Sequence, residues 1–150
     1  MISFAVQHVP NAFRYRAHYR AWLSRVAKHE GRTIVVLNYV LLTDKELLRF
    51  NRRYLGHNEY TDIITFDTRD PLIAPPRSMS PRAQPRGIYG DILISYDRVK
   101  ENARTFNVPA QHELRRVMVH GLLHLCGHND KSPKQQKAMR ALEDTHLARW

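Results

Sequence analysis

Two histidines four positions apart, His120 and His124, are the residues best suited to chemistry; they lie in the segment HGLLHLCGHND. On an α-helix such residues share a face, so both imidazoles can bind one metal ion. A catalytic zinc site takes about three protein ligands, against about four in a structural site. Gly127 suits a left-handed helix end, after which the chain can turn back. The third ligand is therefore expected from the returning segment, as His128 or Asp130.

The motif differs from that of the common metalloproteases, which carry a glutamate directly after the first histidine as general base. Gly121 stands at that position here, so the pattern indicates a metal site without the base of a protease helix. The alternative is that His120 and His124 are ordinary surface or packed residues, since the chain has nine histidines. The glycine turn and the further donors directly after it favour the metal interpretation.

The charge of the chain indicates a polyanionic partner. Lys and Arg number 24 against 14 Asp and Glu, which gives a formal net charge of +10. The alternative is a basic surface that reflects arginine-rich codon usage, and charge alone does not separate RNA, DNA and an acidic membrane. The candidate phosphate contacts lie on a predicted helix and in a predicted loop: Arg49, Arg52, Arg53, Arg77, Arg82 and Arg86.

Cysteine usage and hydropathy predict a cytoplasmic protein. Cys126 is the only cysteine, so no intramolecular disulfide can form, which fits a reducing compartment. The apolar run at residues 2–6 is too short for a signal peptide, and no stretch approaches the ~20 apolar residues of a membrane span. We therefore expect no membrane partner.

The length of 150 residues predicts a single domain. Hydrophobic periodicity predicts strands at about 2–7, 33–42, 61–66 and 90–96, and helices at about 13–29, 44–54, 109–126 and from 133 onwards. The helix starts are predicted from capping patterns: Asn11, Thr43 with Glu46, Pro109 as the first helical residue, and Ser132 before Pro133. The segment at about 70–86 carries five prolines and three arginines, which predicts a basic loop inside the domain.

Four segments, in this order and spacing, resemble the YbeY family of bacterial endoribonucleases, also called the rRNA maturation factor family. They are Asn51-x-x-Tyr54, YTDIITF at 60–66, GDILIS at 90–95 and HGLLHLCG at 120–127. The resemblance extends from about Leu37 to Leu142. It is carried mainly by the His-Gly-x-Leu-His-Leu-x-Gly core preceded by Gly-Asp-Ile.

The resemblance implies an α+β fold: one small domain with a mixed four-stranded sheet, surrounding helices, and a metal site at the end of a central helix. It implies one Zn²⁺ per chain, with another divalent metal possible, held by three residues of the last motif. It also implies single-strand-specific endoribonuclease activity in 16S rRNA 3′-end maturation and in ribosome quality control. The expected partners are then single-stranded RNA, rRNA and the ribosome.

Two positions depart from the family pattern. The usual third ligand is a histidine ten residues after the first, and Asp130 stands there. Its carboxylate also binds zinc and offsets the charge of the ion, and it has more chain than His128 in which to turn back, so Asp130 is the expected ligand. The arginine that commonly follows the aromatic of Asn-x-x-Tyr is replaced by Leu55, which leaves the neighbouring Arg52 and Arg53 as the candidate RNA contacts.

The reaction expected from these residues is metal-assisted hydrolysis of a phosphodiester bond, with either water or an RNA 2′-hydroxyl as nucleophile. The alternatives are a ribosome-associated RNA-binding protein whose metal is structural, and a hydrolase of another bond. Asp62 and Asp91 are candidate acceptors for the ligand imidazoles or, equally, turn caps. Glu113 is a possible base but is expected to be a solvated charge, and Cys126 is expected to be a small core residue.

Overall fold

The computed structural model of the protein describes residues 1–69 and 86–150. Its elements in chain order are β1 (Ile2–Val6), α1 (Arg16–His29), β2 (Thr33–Leu42), α2 (Asp44–Leu55), β3 (Ile63–Asp67), β4 (Gly87–Ser95), α3 (Tyr96–Phe106), α4 (Ala110–Leu125) and α5 (Pro133–Leu147). The four strands form one sheet in the order β1-β2-β4-β3. β1 and β4 pair parallel to β2, whereas β3 pairs antiparallel to β4. The predicted α+β fold with a mixed four-stranded sheet is thus confirmed.

The sheet is covered on both faces, because successive side chains of a strand point to opposite sides. On β4, Ile92 and Ile94 belong to the large core under α1, α4 and α5, whereas Leu93 belongs to a smaller core under α2. α4 is the central helix, since it contacts α1, α3, α5, β3 and β4. Among the described helices, the one that carries the metal motif therefore contacts the most other elements.

Gly121 allows α4 to approach the sheet closely. A Cβ atom at this position would lie 2.9 Å from the terminal methyls of both Ile63 and Ile92, which is too close for real atoms. The position that carries the general base in a protease helix thus faces the sheet here. A larger side chain at this position would require the two isoleucine side chains or α4 itself to shift.

Several predicted element boundaries differ from the structure; β3, for example, is Ile63–Asp67 rather than 61–66. α1 begins at Arg16 rather than at residue 13, because Asn11 binds the nearby Phe13 amide (Oδ1 to N 3.3 Å) and Tyr15 occupies the N-cap. β4 begins at Gly87 rather than Gly90, since its first residues pair with β2. Pro109 is the N-cap of α4 rather than its first helical residue.

One element was not predicted at all. Tyr96, which was expected to end a strand, begins helix α3, and Ser95 caps this helix by accepting the amide of Arg98 at 3.2 Å. The apolar side of α3 is short, with Val99 and Ala103 buried. This pattern is too sparse to distinguish a helix from a connecting segment by periodicity.

The remaining helix starts agree with the sequence. Thr43 with Glu46, and Ser132 with Gln135, each form the reciprocal hydrogen bonds of a capping box. Most of the proline- and arginine-rich segment predicted at 70–86, including Arg77 and Arg82, lies outside the described residues. Among the helices of the described part of the chain, none is both long and apolar enough to cross a bilayer.

Candidate metal centre

His120 and His124 lie one turn apart at the C-terminal end of α4, with their Nε2 atoms 3.1 Å from each other. The Oδ2 atom of Asp130 lies 3.4 Å from each of these nitrogens. Possible metal-binding atoms are carried by His, Cys, Asp and Glu side chains. Within residues 1–69 and 86–150, those of His120, His124 and Asp130 all lie within 4.8 Å of one another. The structure therefore brings together the three residues that the sequence predicted.

Asp130 reaches the histidines because the chain reverses at Gly127, whose φ is +103°. The amides of Gly127 and His128 donate to the carbonyl oxygens of His124 and Leu123, at 3.0 and 3.1 Å. These bonds satisfy carbonyl groups that the helix end would otherwise leave unpaired. The predicted turn after α4 is thus confirmed.

A second anchor of this reversal comes from the loop before β2. The Arg32 guanidinium donates to the carbonyl oxygens of Leu125 and Cys126, at 3.5 and 3.4 Å. A cation at a helix C-terminus also interacts favourably with the helix dipole. Arg32 therefore holds the end of α4 at the point from which Asp130 must return.

His128, the other candidate for the third position, points elsewhere. Its Nε2 atom lies 2.8 Å from Oε2 of Glu30, at the end of α1. The second oxygen of Glu30 lies 3.0 Å from Nε2 of His146 on α5. Both oxygens of this carboxylate are thus used by imidazoles, and His128 is turned away from His120 and His124.

The distances at the candidate centre fit a tetrahedral zinc site. Ligands about 2.0–2.2 Å from a tetrahedral ion lie roughly 3.3–3.6 Å from one another. The three observed separations are 3.1, 3.4 and 3.4 Å. Two imidazole nitrogens and one carboxylate oxygen are also a donor set that zinc accepts, so the residues fit this metal.

Glu143 of α5 orients the first histidine and was missed by the sequence analysis. Its Oε2 atom lies 2.8 Å from Nδ1 of His120, and its Oε1 accepts a bond of 3.1 Å from Arg116. Glu143 is only 5% exposed. A carboxylate on Nδ1 fixes the ring so that Nε2 is left for a metal. Burial lowers the pKa of His120, but the hydrogen bond and charge of Glu143, together with the charges of Asp130 and Asp62, outweigh burial, so the pKa is raised overall.

Of the other acidic candidates, Asp62 lies at the centre, but Asp91 does not contact the ligand imidazoles. Asp91 accepts a bond of 2.8 Å from the Asn38 amide on the neighbouring strand. Asp62 lines the same cavities as His120, and its burial raises the pKa of its carboxyl. The expectation that Glu113 is a solvated charge is wrong: it is 4% exposed, and burial raises its pKa.

Cys126 is half-buried and packs against the core, as expected. Burial raises the pKa of its thiol to about 11, so the thiol is neutral at ordinary pH. Among the described residues, Cys126 is also not one of those whose potential ligand atoms converge with His120 and His124. The single cysteine therefore takes no part in the chemistry of the centre.

Among the described residues, two cavities open onto the candidate metal centre. One, of about 370 Å³, extends from His120 and Asp130 between α3, α4 and α5. The other, of about 520 Å³, lies between the two histidines and the edge strand β3, where Thr65 and Asp67 line it. The centre is thus accessible to a ligand, which is typical of a catalytic rather than a structural metal site.

The predicted RNA contacts, Arg52 and Arg53, lie on α2 and are exposed. α2 covers the face of the sheet opposite to α4. Arg52 donates to the side chain of Asn58, and the Arg53 guanidinium lies 5.4 Å from the centre of the Tyr54 ring. The two arginines are therefore separated from the metal centre by the sheet, near its β3 edge. The exposed Leu55 ends α2 beside them.

Comparison with known proteins identifies relatives along the whole chain. A family model described as Endoribonuclease YbeY matches residues 2–150. An Endoribonuclease YbeY of Cytophaga hutchinsonii is 43% identical over 148 residues, covering 98% of this chain and 94% of that protein. One from Flavobacterium psychrophilum is 40% identical over 147 residues, covering 98% and 94%.

A solved structure supports the same relationship. A solution structure of a protein from Thermotoga maritima superimposes with a TM-score of 0.64 at 25% identity. The match covers 98% of this chain and 87% of that one. The strand order and the helices described above therefore belong to an arrangement that an experimentally determined structure shares.

Proposed function

The chain belongs to the endoribonuclease YbeY family, and from that premise we propose that residues 1–150 form one metal-dependent domain that cleaves single-stranded RNA. The observation that carries this proposal is the convergence of three ligand atoms, from His120, His124 and Asp130, beside open cavities. A structural zinc takes about four protein ligands, so three ligands next to a cavity favour catalysis. This argues against a binding protein whose metal is structural.

The metal in this proposal is one Zn²⁺ per chain, held by His120, His124 and Asp130. The near-tetrahedral separations of the three ligand atoms support zinc, although another divalent ion is compatible with the same donors. A bound divalent ion would supply Lewis-acid chemistry, by neutralising phosphate charge and activating the nucleophile. Glu143 holds the His120 ring in place for this role.

The proposed substrate is rRNA, with 16S rRNA 3′-end maturation and ribosome quality control as the processes served. The support for this step is the family membership together with the net charge of +10, which favours a polyanion. A proteinaceous substrate is disfavoured because Gly121 replaces the glutamate that metalloproteases use, and its Cβ position faces the sheet.

The proposed path of the RNA includes Arg52 and Arg53. Because these arginines lie on the opposite face from α4, one strand must pass round the β3 edge to reach both them and the metal. A flexible single strand can follow such a path, whereas a rigid duplex cannot. Contacts of one RNA with Arg52, Arg53 and the metal centre would therefore require a single strand.

The activity is tested with zinc-loaded protein, an unstructured RNA and a denatured protein substrate. We expect the RNA to be cut internally, and we expect chelator to stop the reaction and added zinc to restore it. RNA loss that persists in chelator would indicate a contaminating nuclease. Cleavage of the protein substrate alone would refute the proposal.

The RNA path is tested by measuring affinity for an RNA oligonucleotide against salt concentration. Each phosphate contact contributes roughly −0.7 to the log–log slope for a single strand. Replacing Arg52 and Arg53 by alanine should therefore flatten the slope by about 1.4 if each makes one such contact. Replacing the exposed Arg14 and Arg25 by alanine instead removes the same charge just before α1 and on α1, and should leave the slope nearly unchanged. Equal slopes for the two double variants would place the basic surface elsewhere.

A further inference from the structure

A cavity of about 370 Å³ lies beside the candidate metal centre, between α3, α4 and α5. His120 and Asp130 line it, and so do Glu113 and Phe106. Glu113 precedes His120 by two turns on the same face of α4, which corresponds to about 10 Å along the helix. This length is comparable to that of one nucleotide from its phosphate to the far edge of its base. We call this space the base cavity.

Phe106 gives the base cavity an aromatic wall. It is the last residue of α3, and 50% of its surface is exposed although it is large and apolar. The Arg140 guanidinium, which also lines the cavity, lies 5.4 Å from the centre of the ring. Exposed aromatic rings and arginines are the surfaces on which unpaired bases stack.

Glu113 gives the cavity a polar wall. The residue is 4% exposed, and its burial raises the pKa of the carboxyl. Arg116, also at the cavity, is already paired with Glu143 and Asp144 at 3.1 and 2.7 Å. The other carboxyls that line the cavity all interact with His120; they are Asp62, Asp130 and Glu143. This leaves Glu113 as the acidic group that can accept a bond from an exocyclic amino group of a base.

We propose that the base cavity binds the nucleobase next to the phosphate at the metal centre, with Phe106 stacking on the base and Glu113 contacting its exocyclic amino group. This inference rests on the proposed function, because it assumes that the metal centre holds a phosphate. It adds a preference that the proposed function does not contain. Bases with an exocyclic amino group bind better than uracil.

The first test uses adenosine 5′-monophosphate and ribose 5-phosphate as probes of the zinc-loaded protein. Neither contains an internal phosphodiester bond, so neither is consumed, and their difference isolates the base. Titrations followed by NMR of the ligand should show tighter binding of the nucleotide. Phe106→Ala should weaken nucleotide binding by about 5-fold to 150-fold, the range for one stacked base, and leave ribose 5-phosphate unchanged. Tyr15→Ala, which removes an exposed aromatic ring outside the cavity, should change neither.

The second test compares adenosine and uridine 5′-monophosphates. Wild type should prefer the adenine nucleotide by roughly 5-fold or more, as for a base contact that is matched rather than mismatched. Glu113→Gln should reduce this preference, because the amide can also donate to a uracil carbonyl. Zinc content is measured in every variant, since loss of metal on Glu113→Gln would mean that the carboxyl serves the ion instead and would overturn the proposal.

These outcomes are independent of the cleavage assay. Equal affinity of wild type for the nucleotide and for ribose 5-phosphate would overturn the base cavity even if the protein cleaves RNA. Conversely, a base-dependent affinity that is lost in Phe106→Ala would support the cavity even if no cleavage is detected. In that case the endoribonuclease activity alone would fail.

Discussion

Glu143 and Glu30 each bind a histidine of the segment 120–130, with opposite consequences. Glu143 lies 2.8 Å from Nδ1 of His120, and that contact leaves Nε2 facing Asp130 and the cavities. Glu30 instead binds the Nε2 atoms of His128 and His146, at 2.8 and 3.0 Å. The first arrangement leaves the Nε2 atom of His120 available to a metal ion, whereas the second occupies the Nε2 atoms of His128 and His146 with hydrogen bonds.

The cluster around His120 and the cluster around Glu30 also differ in their access to solvent. His120 borders two open cavities. His146 is 2% exposed, and Trp22 donates to its backbone oxygen at 2.9 Å, so it belongs to the packing between α1 and α5. The same residue types therefore form a candidate metal centre in one place and a structural contact between helices in the other. We call the second cluster, Glu30 with His128 and His146, the brace. The two clusters differ in the imidazole nitrogen that the carboxylate contacts: Nδ1 in His120, and Nε2 in His128 and His146.

The largest expected effect separates the two clusters by metal content and activity. His120→Ala or His124→Ala should release the zinc and lower RNA cleavage by at least about 100-fold, because the ion supplies several kcal/mol of transition-state stabilisation. His128→Ala should retain one zinc per chain, since its imidazole is directed at Glu30. Metal analysis after dialysis and the chelator-controlled cleavage assay measure both quantities.

The same assay examines the third ligand. Asp130→Ala should lose zinc as His120→Ala does. Full zinc retention in Asp130→Ala together with loss in His128→Ala would reverse the assignment of the two residues. The brace and the metal centre would then share a histidine, and the contrast between them would disappear.

The next effect concerns the carboxylate behind His120. Glu143→Gln keeps the size of the side chain but removes the negative charge that lies beside Nδ1 of His120. Such changes typically weaken metal binding by about 10-fold to 100-fold. The matched control is Asp144→Asn, because Asp144 is exposed and pairs with the same Arg116, at 2.7 Å. Competition with a chelator of known affinity gives both constants. Equal affinities for the two variants would show that Glu143 does not act through His120.

The brace should show itself in stability rather than in metal content. Glu30→Ala leaves Nε2 of the buried His146 without its carboxylate, and a buried unsatisfied group costs about 1–3 kcal/mol. Glu101→Ala removes an exposed carboxylate paired with Arg98 and should cost less than about 1 kcal/mol. Urea unfolding of the chelator-treated proteins measures both values. A zinc deficit in Glu30→Ala without loss of stability would contradict the role of a brace.

Sequence patterns located the parts of the centre that depend on local geometry. Two histidines at i and i+4, a glycine at the helix end and a donor shortly after it are all set within one short stretch, and the structure brings His120, His124 and Asp130 together. Glu143 could not be found this way, because it approaches His120 only through the packing of α5 on α4. One indication of its role is present in the sequence: Glu143 is a carboxylate next to Leu142, on the apolar side of α5.

Burial set by tertiary packing also explains the error at Glu113. On α4 alone, a glutamate two turns before the metal motif is indistinguishable from a surface charge. Its burial depends on α3, a helix that was not predicted from the sequence, and on α5. The base cavity between these helices was therefore invisible in the sequence.

The smallest expected effect is a pH dependence of the stability that Glu30 contributes. Burial raises the pKa of Glu30, but the hydrogen bonds to His128 and His146 outweigh it, and the pKa lies below the ordinary 4.5 overall. A carboxyl whose pKa is depressed by folding stabilises the protein above its unfolded pKa, and this contribution is lost as the pH falls through the folded pKa. The difference in unfolding free energy between wild type and Glu30→Gln should therefore be constant above about pH 5 and shrink below about 4.5. The measurement is made in chelator, because zinc release is itself pH-dependent and would add a second transition. A difference that instead grows as the pH falls would mean that Glu30 is not the stabilised anion of the brace.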